Sequence, residues 1–350
     1  MRESWIAIED AVCLDNKLWF ILRDYKSLGV MDIRTKETKS YVIPSNGFYT
    51  QKRAFASMAL VGRKLYLIPF FNRILLQFDV DSEEFVEIGI DSNIIENKNA
   101  LFMGVGIYQN YLFVMGVNVP AIIRVNTLNN NVDYLTDWCQ AVERLIFDSK
   151  DAYFRKQTVI IGNKLYVPFC NANAVLEIDC NSMQSVIHSM GEEKQGYSGI
   201  CFDGEAMWLS PRRNGNMVKW NLYSNQIDRI QISGLKALGN VLTYAGLIFN
   251  DKKIILLPIT KRQTLCIEKE NVTELSGEYS FVQQNENYII FYERSNGKFT
   301  IIDRTLDVLS EILIDRVKVN IEKILCENQN FVVENVSGDI MDFLDVIEKD

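Results

Sequence analysis

Histidine is almost absent from this chain of 350 residues, which contains His188 alone. This excludes a metal site built from several histidines. A Ser-His-Asp triad would depend on one residue in the segment SVIHSM, which is predicted to be an outer strand. Glycine-rich phosphate loops and the paired-histidine zinc motif are missing as well. The sequence therefore predicts no metal site and no cofactor.

Runs of basic residues and long apolar segments are also missing. The chain has 45 acidic and 37 basic residues, a formal net charge of −8, and no Lys/Arg cluster of the kind that neutralises nucleic-acid phosphates. No stretch approaches the ~20 apolar residues that cross a bilayer. Glu3, Glu9 and Asp10 lie where a secretory signal needs a basic start and an apolar core. We expect no nucleic-acid partner, no membrane and no export by that route.

The seven cysteines are too scattered for a disulfide framework or a zinc knuckle. Their number is odd, and no CxxC pair occurs. They indicate small buried thiols in a reducing cytoplasm. Cys13, Cys201 and Cys326 fall on predicted innermost strands, where a thiol could face a channel as a nucleophile, although no histidine base is expected beside it.

What the chain does contain is an internal repeat. Segments such as KLWFILR, KLYLIPF, KLYVPFC and KIILLPI can be aligned with one another. Each aligned copy has an acidic residue or Asn thirteen positions after a common register residue, and the residue directly before that polar residue is apolar. The register positions are Trp19, Tyr66, Phe113, Tyr166, Trp208, Ile255, Ile290 and Val332, and the polar positions are Asp32, Asp79, Asn126, Asp179, Asn221, Glu268, Asp303 and Asp345. In six copies a Ser, Thr or Asn follows three residues later, which is typical of a tight turn between strands.

Each copy predicts a four-stranded antiparallel meander. The copies are spaced by 35 to 53 residues, about 45 on average, as in β-propeller blades, and the short β-rich apolar blocks exclude a helical solenoid. We predict an all-β fold, with residues 1–350 as a single β-propeller domain of eight blades; seven is the alternative if the copy around Ile290 or Val332 is not a full blade. Residues 5–8 are expected to complete the last blade, and residues 136–156 to form a loop insertion with helical periodicity. The large register residues are expected to pack between blades.

Two segments carry a resemblance to known families. GNKLYVPFCNANAVLEIDCNSMQSV and VMDIRTKETKSYVI resemble the strand, turn and apolar-Asp-x-x-Thr/Ser pattern of quinoprotein-like, kelch-like and streptogramin-lyase-like β-propellers. The resemblance covers nearly the whole chain and implies the fold. The chain lacks the Gly-Gly doublet of kelch repeats and the tryptophan-aspartate repeat signature. Streptogramin-lyase-like enzymes are described with a channel histidine and a metal-binding carboxylate. The histidine of this chain, His188, is on a predicted outer strand, so this catalytic pattern is not expected here.

One face of the predicted propeller gathers basic and tyrosine side chains. Loops between the second and third strands open on the same face as loops between blades, and ligands of propellers usually bind there. Arginine forks suit carboxylates and phosphates, and tyrosines add a flat surface. The predicted anion-binding residues are Tyr49, Lys52, Arg53, Tyr153, Arg155, Tyr197, Arg212, Arg213, Lys261, Arg262 and Arg294. The adjacent arginines after Pro211 are the most specific element. The alternative is that these loops are simply solvated.

The sequence predicts architecture more fully than activity. The leading function is a recognition or scaffold module that binds an anionic small molecule or peptide, or a partner protein, on the loop face. The alternative is a lyase or modifying enzyme that acts on a peptide or glycan in the central pocket, with Tyr or Arg groups in place of histidine. Such an enzyme should hold a Tyr, Glu or Lys with a strongly shifted pKa at the channel mouth. A third possibility is an oligomer-forming protein with an exposed apolar surface at residues 145–154.

Overall fold

The strands of the computed structural model form seven four-stranded antiparallel sheets, in each of which every strand pairs with its neighbour in sequence. The structure describes residues 8–23, 27–44, 53–96, 98–213, 215–231, 244–258, 264–268, 271–275, 279–284, 288–293, 297–303 and 308–313. Each sheet corresponds to one copy of the repeat. The first strand of each sheet is innermost and the fourth outermost, as in a propeller.

The first four sheets take up residues 8 to 189. The first contains β1 (Ile8–Leu14), β2 (Lys17–Leu22), β3 (Ser27–Asp32) and β4 (Thr38–Val42). The second contains β5 (Phe55–Val61), β6 (Lys64–Pro69), β7 (Ile74–Asp79) and β8 (Glu84–Gly89). The third contains β9 (Phe102–Tyr108), β10 (Tyr111–Gly116), β11 (Ile122–Asn126) and β12 (Val132–Leu135). The fourth contains β13 (Val159–Ile161), β14 (Lys164–Pro168), β15 (Ala174–Asp179) and β16 (Ser185–Ser189).

The last three sheets follow the same plan. The fifth contains β17 (Tyr197–Phe202), β18 (Ala206–Pro211), β19 (Met217–Asn221) and β20 (Ile227–Ile230). The sixth contains β21 (Tyr244–Asn250), β22 (Lys253–Pro258), β23 (Thr264–Glu268) and β24 (Asn271–Leu275). The seventh contains β25 (Tyr279–Gln284), β26 (Tyr288–Glu293), β27 (Lys298–Asp303) and β28 (Val308–Leu313).

The seventh sheet packs directly against the first, which closes the ring. Ile8 and Phe20 share a buried apolar cluster with Tyr292 and Phe299, and the Ile8 backbone N–H donates to the Tyr292 hydroxyl at 3.3 Å. Eight blades are therefore not confirmed, and the described residues match the seven-bladed alternative. The eighth copy, around Val332, lies outside the described residues.

The expected closure of the last blade by residues 5–8 stays a prediction, because the copy around Val332 lies outside the described residues. Ile8 belongs to β1 and pairs with Leu22 in the first sheet. The seventh sheet has four strands of its own, so it needs no strand from the amino terminus. Residues 5–7 lie outside the described part of the chain.

The acidic position of the repeat closes the turn between the third and fourth strands. Oδ1 of Asp32, Asp79 and Asp179 each accepts two backbone hydrogen bonds from the residues two and three positions later, at 2.8–3.1 Å. Asn221 does the same at 2.9–3.0 Å. The predicted turn is confirmed, and its side-chain oxygen replaces bonding partners that the chain reversal removes.

Large side chains of the repeat pack between neighbouring sheets, as predicted. Trp19 contacts Tyr41 and Phe78, with ring centroids 5.9 and 5.6 Å apart. Tyr66 and Phe113 are fully buried. Trp208 is only partly buried and lies under Lys219. These contacts join adjacent blades because each sheet offers one of its faces to the next.

Two short helices and one 3₁₀ turn interrupt the sheets: α1 (Ser92–Ile95), α2 (Trp138–Val142) and the 3₁₀ turn Glu143–Leu145. α2 and the 3₁₀ turn lie in the insertion 136–156. Trp138 packs against Phe154 and Phe169, with ring centroids 5.1 and 5.6 Å apart. Because Phe154 is fully buried, the exposed apolar surface expected at residues 145–154 is not formed there. In the described residues no helix has the length and apolar character needed to cross a membrane.

Candidate functional site

A β-bulge lies at the loop-face end of the inner strand in six of the seven sheets. At each bulge the pairing with the second strand skips one residue. The skipped residues are Glu9, Ala56, Met103, Ser198, Ala245 and Ser280. A bulge re-aims side chains and is common beside binding sites. These positions surround the mouth of the central channel, and we call them the bulge ring.

In the fourth sheet the corresponding stretch can be placed by its backbone hydrogen bonds. The Tyr153 N–H donates to Val117 O, and Tyr153 O accepts from Cys170 N, both at 2.8 Å. One sheet earlier, Leu101 makes the same two bonds, to Phe70 O and from Val117 N, both at 2.7 Å. Tyr153 and Leu101 are therefore equivalent positions.

The fourth sheet has one more residue in its bulge than the third. Gly106 and Val159 are equivalent, since they pair with the register aromatics of their own sheets. Five positions lead from Leu101 to Gly106, whereas six lead from Tyr153 to Val159. The Arg155–Lys156 pair occupies the place that a single residue holds elsewhere. Two cations are thus added to the bulge ring at the end of the insertion.

Lys156 crosses the channel mouth. Its Nζ donates to the backbone carbonyl of Glu9 at 2.7 Å and lies 3.6 Å from Asp10 Oδ1. Glu9 and Asp10 belong to the first sheet, on the far side of a seven-membered ring. Asp10 Oδ2 also accepts from the Met58 N–H at 2.9 Å. The Lys156 side chain therefore bridges the fourth and first sheets across the channel.

Gln157 bridges the fourth, fifth and sixth sheets. Its Nε2 donates to Leu247 O at 2.7 Å, and its Oε1 accepts from the N–H groups of Leu247 and Ile200 at 2.9 and 3.3 Å. A Cβ at Gly199 or Gly246 would lie 2.5–2.7 Å from this carboxamide. The two glycines are needed because a larger residue would displace Gln157, which fills the channel just below the mouth.

Arg155 is a cation at the mouth that forms no ion pair with any described residue. Its Nη1 lies 4.0 Å from Met103 Sδ, and its largely buried Nε has no hydrogen-bond partner in the described part of the chain. Across the described ranges, no carboxylate lies within ion-pair distance of it. Burial, followed by the positive charge of Arg212, lowers the pKa of Arg155; the negative charge of Asp151 offsets part of this shift, and Arg53 adds a smaller lowering effect. The site thus holds an excess positive charge.

Arg53 lies at the start of the second sheet and is close enough to Arg155 to affect its pKa. Its Nε donates to Glu9 Oε2 at 2.7 Å, and the guanidinium lies 4.4 Å from the ring centroid of Phe70. Arg23 also pairs with the buried Glu9 carboxylate, at 3.0 Å from Oε1. Two arginines therefore share one carboxylate, and this side of the mouth is positive as well.

Arg212 and Arg213 hold the insertion in place. Arg212 donates from Nε to Asp151 Oδ2 at 2.7 Å and from Nη2 to Oδ1, and both side chains are about 95% buried. Arg213 Nη2 reaches Asp151 Oδ2 at 3.3 Å and lies 3.9 Å from Asp148. The sequence predicts that the adjacent Arg212 and Arg213 present an open guanidinium to a ligand. The Arg212 guanidinium instead binds the Asp151 carboxylate, because the insertion folds over it.

Neither described tyrosine of the predicted pocket is open to the mouth. Tyr197 is fully buried, and its hydroxyl donates to Asn173 Oδ1 at 2.5 Å. Tyr153 packs edge-on against Trp138 at 5.4 Å. Burial raises the pKa of both phenols. The structure therefore brings Arg53, Arg155, Arg212 and Arg213 to one face. The predicted site residues Tyr49, Lys52, Lys261, Arg262 and Arg294 lie outside the described residues.

The nucleophile and base candidates are placed away from the mouth. His188 lies on the outermost strand β16, as predicted, where Nε2 is 2.8 Å from Glu177 Oε2 and the ring packs on Trp220. Cys13 and Cys201 do lie on inner strands, but burial, with a smaller contribution from Asp203, raises the pKa of Cys201 well above its usual value. Cys326 is outside the described residues. The described residues contain no group of three or more His, Cys, Asp or Glu side chains placed to hold a metal ion.

Sequence reasoning missed the acidic and amide partners of the mouth. In the sequence Glu9 and Asp10 indicate only that a signal peptide is absent, yet in the fold they are almost fully buried. No sequence motif points to Asp151 or Gln157. The sequence does contain one indication of these residues. The longest spacing between copies, from Phe113 to Tyr166, includes the insertion, and residues 155–157 lie at the end of that insertion.

Comparison with known proteins supports the fold and no more. No family model and no curated protein matches the chain. Among solved structures it is similar to a catalytically inactive virginiamycin B lyase from Staphylococcus aureus with quinupristin (12% identity, 84% of this chain and 94% of the other, TM-score 0.64). It is also similar to BamB from Moraxella catarrhalis (12%, 83% and 83%, TM-score 0.57) and to the RRP9 WD40 repeats (11%, 84% and 89%, TM-score 0.58). The chain has a β-propeller fold, which hosts both enzymes and recognition proteins.

Proposed function

We propose that this protein is a recognition propeller that binds an anionic group of a small molecule or peptide at the channel mouth, with Arg155 as the principal contact. The supporting observation is the partly buried Arg155 side chain, whose buried Nε has no hydrogen-bond partner and which forms no ion pair within the described residues. Burying a cation without an ion-pair partner costs free energy. An anion that binds beside such a cation should therefore have a more favourable binding free energy than one that binds to an exposed arginine.

The other mouth residues support the same proposal. Lys156 and Gln157 close the channel beneath the bulge ring, so a ligand at the mouth meets a floor rather than an open pore. Arg53 adds a second cation on an apolar base, because it lies over Phe70. Arg155 supplies the guanidinium for a planar carboxylate or a phosphate, and Arg53, although it pairs with Glu9, adds positive charge nearby.

The test is a thermal-shift screen of the full chain against inorganic phosphate, citrate, glucuronate, a nucleoside monophosphate and an acidic peptide. A ligand at 100 times its Kd adds about 2.7 kcal/mol of apparent stability. We expect Arg155→Gln to weaken the best hit tenfold to a hundredfold, since a hydrogen bond to a charged group contributes about 1.5–3 kcal/mol. The unliganded variant should be at least as stable as the parent, because it loses an uncompensated buried charge.

Arg34→Gln is the matched control. Arg34 is exposed in the turn between β3 and β4, on the opposite face, and the substitution removes the same charge. It should leave binding unchanged. Equal binding by the Arg155→Gln variant and the parent protein would show that the mouth is not the anion site.

No described residue favours the alternative of a lyase or modifying enzyme. The tyrosine pKa shifts at this face arise from burial, and the phenol of Tyr197 is fully buried and bonded to Asn173. Incubating the best ligand with the protein and looking for a product tests this alternative directly. The six described cysteines are free thiols, which supports the proposal of a reducing, cytoplasmic location.

A further inference from the structure

The inner strand of each sheet has a free edge along the central channel. β13, β17 and β21 each pair with a single strand, the second of their own sheet. In an antiparallel pair, the N–H and C=O groups of alternate residues point to the partner strand, and those of the residues between point away from it. Every second residue of an inner strand therefore directs its backbone N–H and C=O into the channel.

Side chains of the protein bond to these backbone groups at the level next to the mouth. In the sixth sheet the Gln157 carboxamide binds both the N–H and the C=O of Leu247, and in the fifth it accepts from Ile200 N–H. In the second sheet the Met58 N–H donates to Asp10 Oδ2 at 2.9 Å. We call this the upper level of the channel, and its polar backbone groups are bonded within the protein.

The lower level, two residues further along the inner strands, is different. Phe202 follows Ile200 by two positions, so its N–H and C=O also point into the channel. Ile160 pairs with Leu165 at the place in its sheet where Phe202 pairs with Met207, so it has the same orientation. Within the described part of the chain, no side chain bonds to the channel-facing groups of Ile160 or Phe202. These groups are available to a ligand.

A cavity of about 890 Å³ lies beside the lower level. It is bordered by β13, β17 and β21, and it extends from Gln157 to Asp251, which lies in a turn on the face opposite the mouth. Ile160, Phe202 and Phe249 all border it. Small-molecule sites in proteins have volumes of about 300–1,000 Å³. The cavity therefore has the volume of a ligand site, and backbone peptide groups face into it.

We propose that the lower level of the channel binds a small uncharged molecule with an amide group, such as a capped amino-acid amide. At Leu247 the carboxamide of Gln157 satisfies a backbone N–H and a backbone C=O together, and a ligand amide would repeat this bonding one level lower. A ligand must replace the hydrogen bonds that water makes to such groups, which an apolar molecule cannot do. The proposal does not depend on the anion site, because Lys156 and Gln157 lie between the mouth and the cavity.

The experiment uses two uncharged probes that differ by one hydrogen-bond donor. N-Acetylglycinamide carries a terminal amide, and in methyl N-acetylglycinate a methoxy group replaces its NH₂. Each is titrated into the nitrogen-15-labelled full chain while the backbone amide resonances are recorded. We expect saturable shifts of the Ile160 and Phe202 N–H resonances with the amide, while Val186 on the outer strand β16 does not respond. The ester should bind about twofold to tenfold more weakly, as the loss of one hydrogen bond implies.

Phe202→Pro removes one of the proposed donors. Proline is compatible with an edge strand where its missing N–H points away from the sheet. Leu60→Pro is the matched control, because Leu60 pairs with Leu65 at the same place in the second sheet, is partly buried like Phe202, and does not border the cavity. We expect Phe202→Pro to bind N-acetylglycinamide about twofold to tenfold more weakly than Leu60→Pro. If Phe202→Pro does not fold, the resonance shifts of the parent protein decide the question.

Three results would overturn the proposal. The first is the absence of saturable shifts at Ile160 and Phe202 in the full chain. The second is equal affinity for the amide and the ester, and the third is equal affinity for the amide in the two folded proline variants. Arg155→Gln should bind the amide as the parent does. Weaker binding by that variant would also contradict the proposal, because the probe would then lie at the mouth.

Discussion

Asp151→Asn should lower the free energy of unfolding by about 3–5 kcal/mol, the usual cost of removing one partner of a buried ion pair. The carboxylate accepts from Arg212 Nε at 2.7 Å and also from Nη2, and the two side chains are 6% and 4% exposed. An asparagine keeps the shape but not the charge. Arg212 would then be a buried cation beside Arg155, and both arginines would lose the negative charge of Asp151.

The double variant Asp151→Leu/Arg212→Met separates charge from packing. Replacing a buried ion pair by apolar residues of similar volume is often neutral, so the double variant should be closer to the parent than Asp151→Asn. Urea unfolding at pH 7 gives the free energies, and the difference between the double variant and the sum of the single variants Asp151→Leu and Arg212→Met gives the coupling. Limited proteolysis of residues 148–157 reports whether the insertion has come loose.

The exposed pair Arg63–Asp81 provides the control. Its side chains are 48% and 62% exposed at 2.7 Å, and exposed pairs contribute about 0–1 kcal/mol. The reasoning is refuted if Asp151→Asn costs no more than Asp81→Asn. Acid provides a second check: burial raises the pKa of Asp151, but the hydrogen bonds and charge of Arg212 outweigh it and the net shift is downward. The stabilisation is thus complete above the unfolded pKa near 3.8 and is lost as the pH falls through the lower folded value.

Two further predictions concern the ring and its turns. Tyr292→Phe should cost about 1–3 kcal/mol in thermal or urea unfolding, since it leaves the buried Ile8 N–H without its hydroxyl partner at the seam between the first and seventh sheets; a variant as stable as the parent would argue against this seam. Backbone N–H groups of the turns lower the pKa of Asp32, Asp79 and Asp179, the last to about 2. Their stabilisation should be present above pH about 3.8 and be lost as the pH falls toward 2. The triple Asp→Asn variant should unfold with a flatter acid dependence, and an unchanged acid profile would contradict the assignment.

The fold could be predicted because the repeat records local chemistry that every blade needs. Asp79 and Asp179 recur because a turn needs an oxygen that accepts two backbone N–H groups. Trp19 and Tyr66 recur because each sheet must fill the gap to the next one. These requirements act within a few residues or between adjacent blades, so the sequence pattern displays them directly.

The number of blades could not be read from the same pattern. Ring closure depends on the angle between packed sheets, which is a sum over many contacts rather than a property of one copy. The pattern continues to Val332 and predicts an eighth copy, yet Tyr292 and Phe299 pack against Ile8 and Phe20 and complete a ring of seven. A strand-forming sequence predicts that a blade can form, but it does not predict how many blades the ring contains.

The site was harder to predict for a related reason. Loop position suggested Arg212 as an open fork, but the fork is occupied by Asp151, 61 residues earlier in the chain. Glu9 and Asp10 lie in the first sheet and meet Lys156 only because the ring brings the first and fourth sheets to opposite sides of one channel. Pairings of this kind depend on closure, so they are absent from any local pattern.

The asymmetry of the fourth sheet connects these observations. A repeat that is the same in every blade presents the same groups around its channel, so a specific site requires one blade to differ. Here the insertion that begins after β12 ends in one additional bulge residue, and three consecutive side chains then act in three directions. Arg155 faces the mouth, Lys156 reaches the first sheet, and Gln157 binds the fifth and sixth. Deleting Arg155 alone would return the bulge to the single residue found in the other blades. It should remove anion binding while Lys156 and Gln157 keep their cross-channel bonds, so the deletion variant should unfold in urea as the parent does. A large loss of stability together with the loss of anion binding would show instead that the additional residue is needed to build the channel itself.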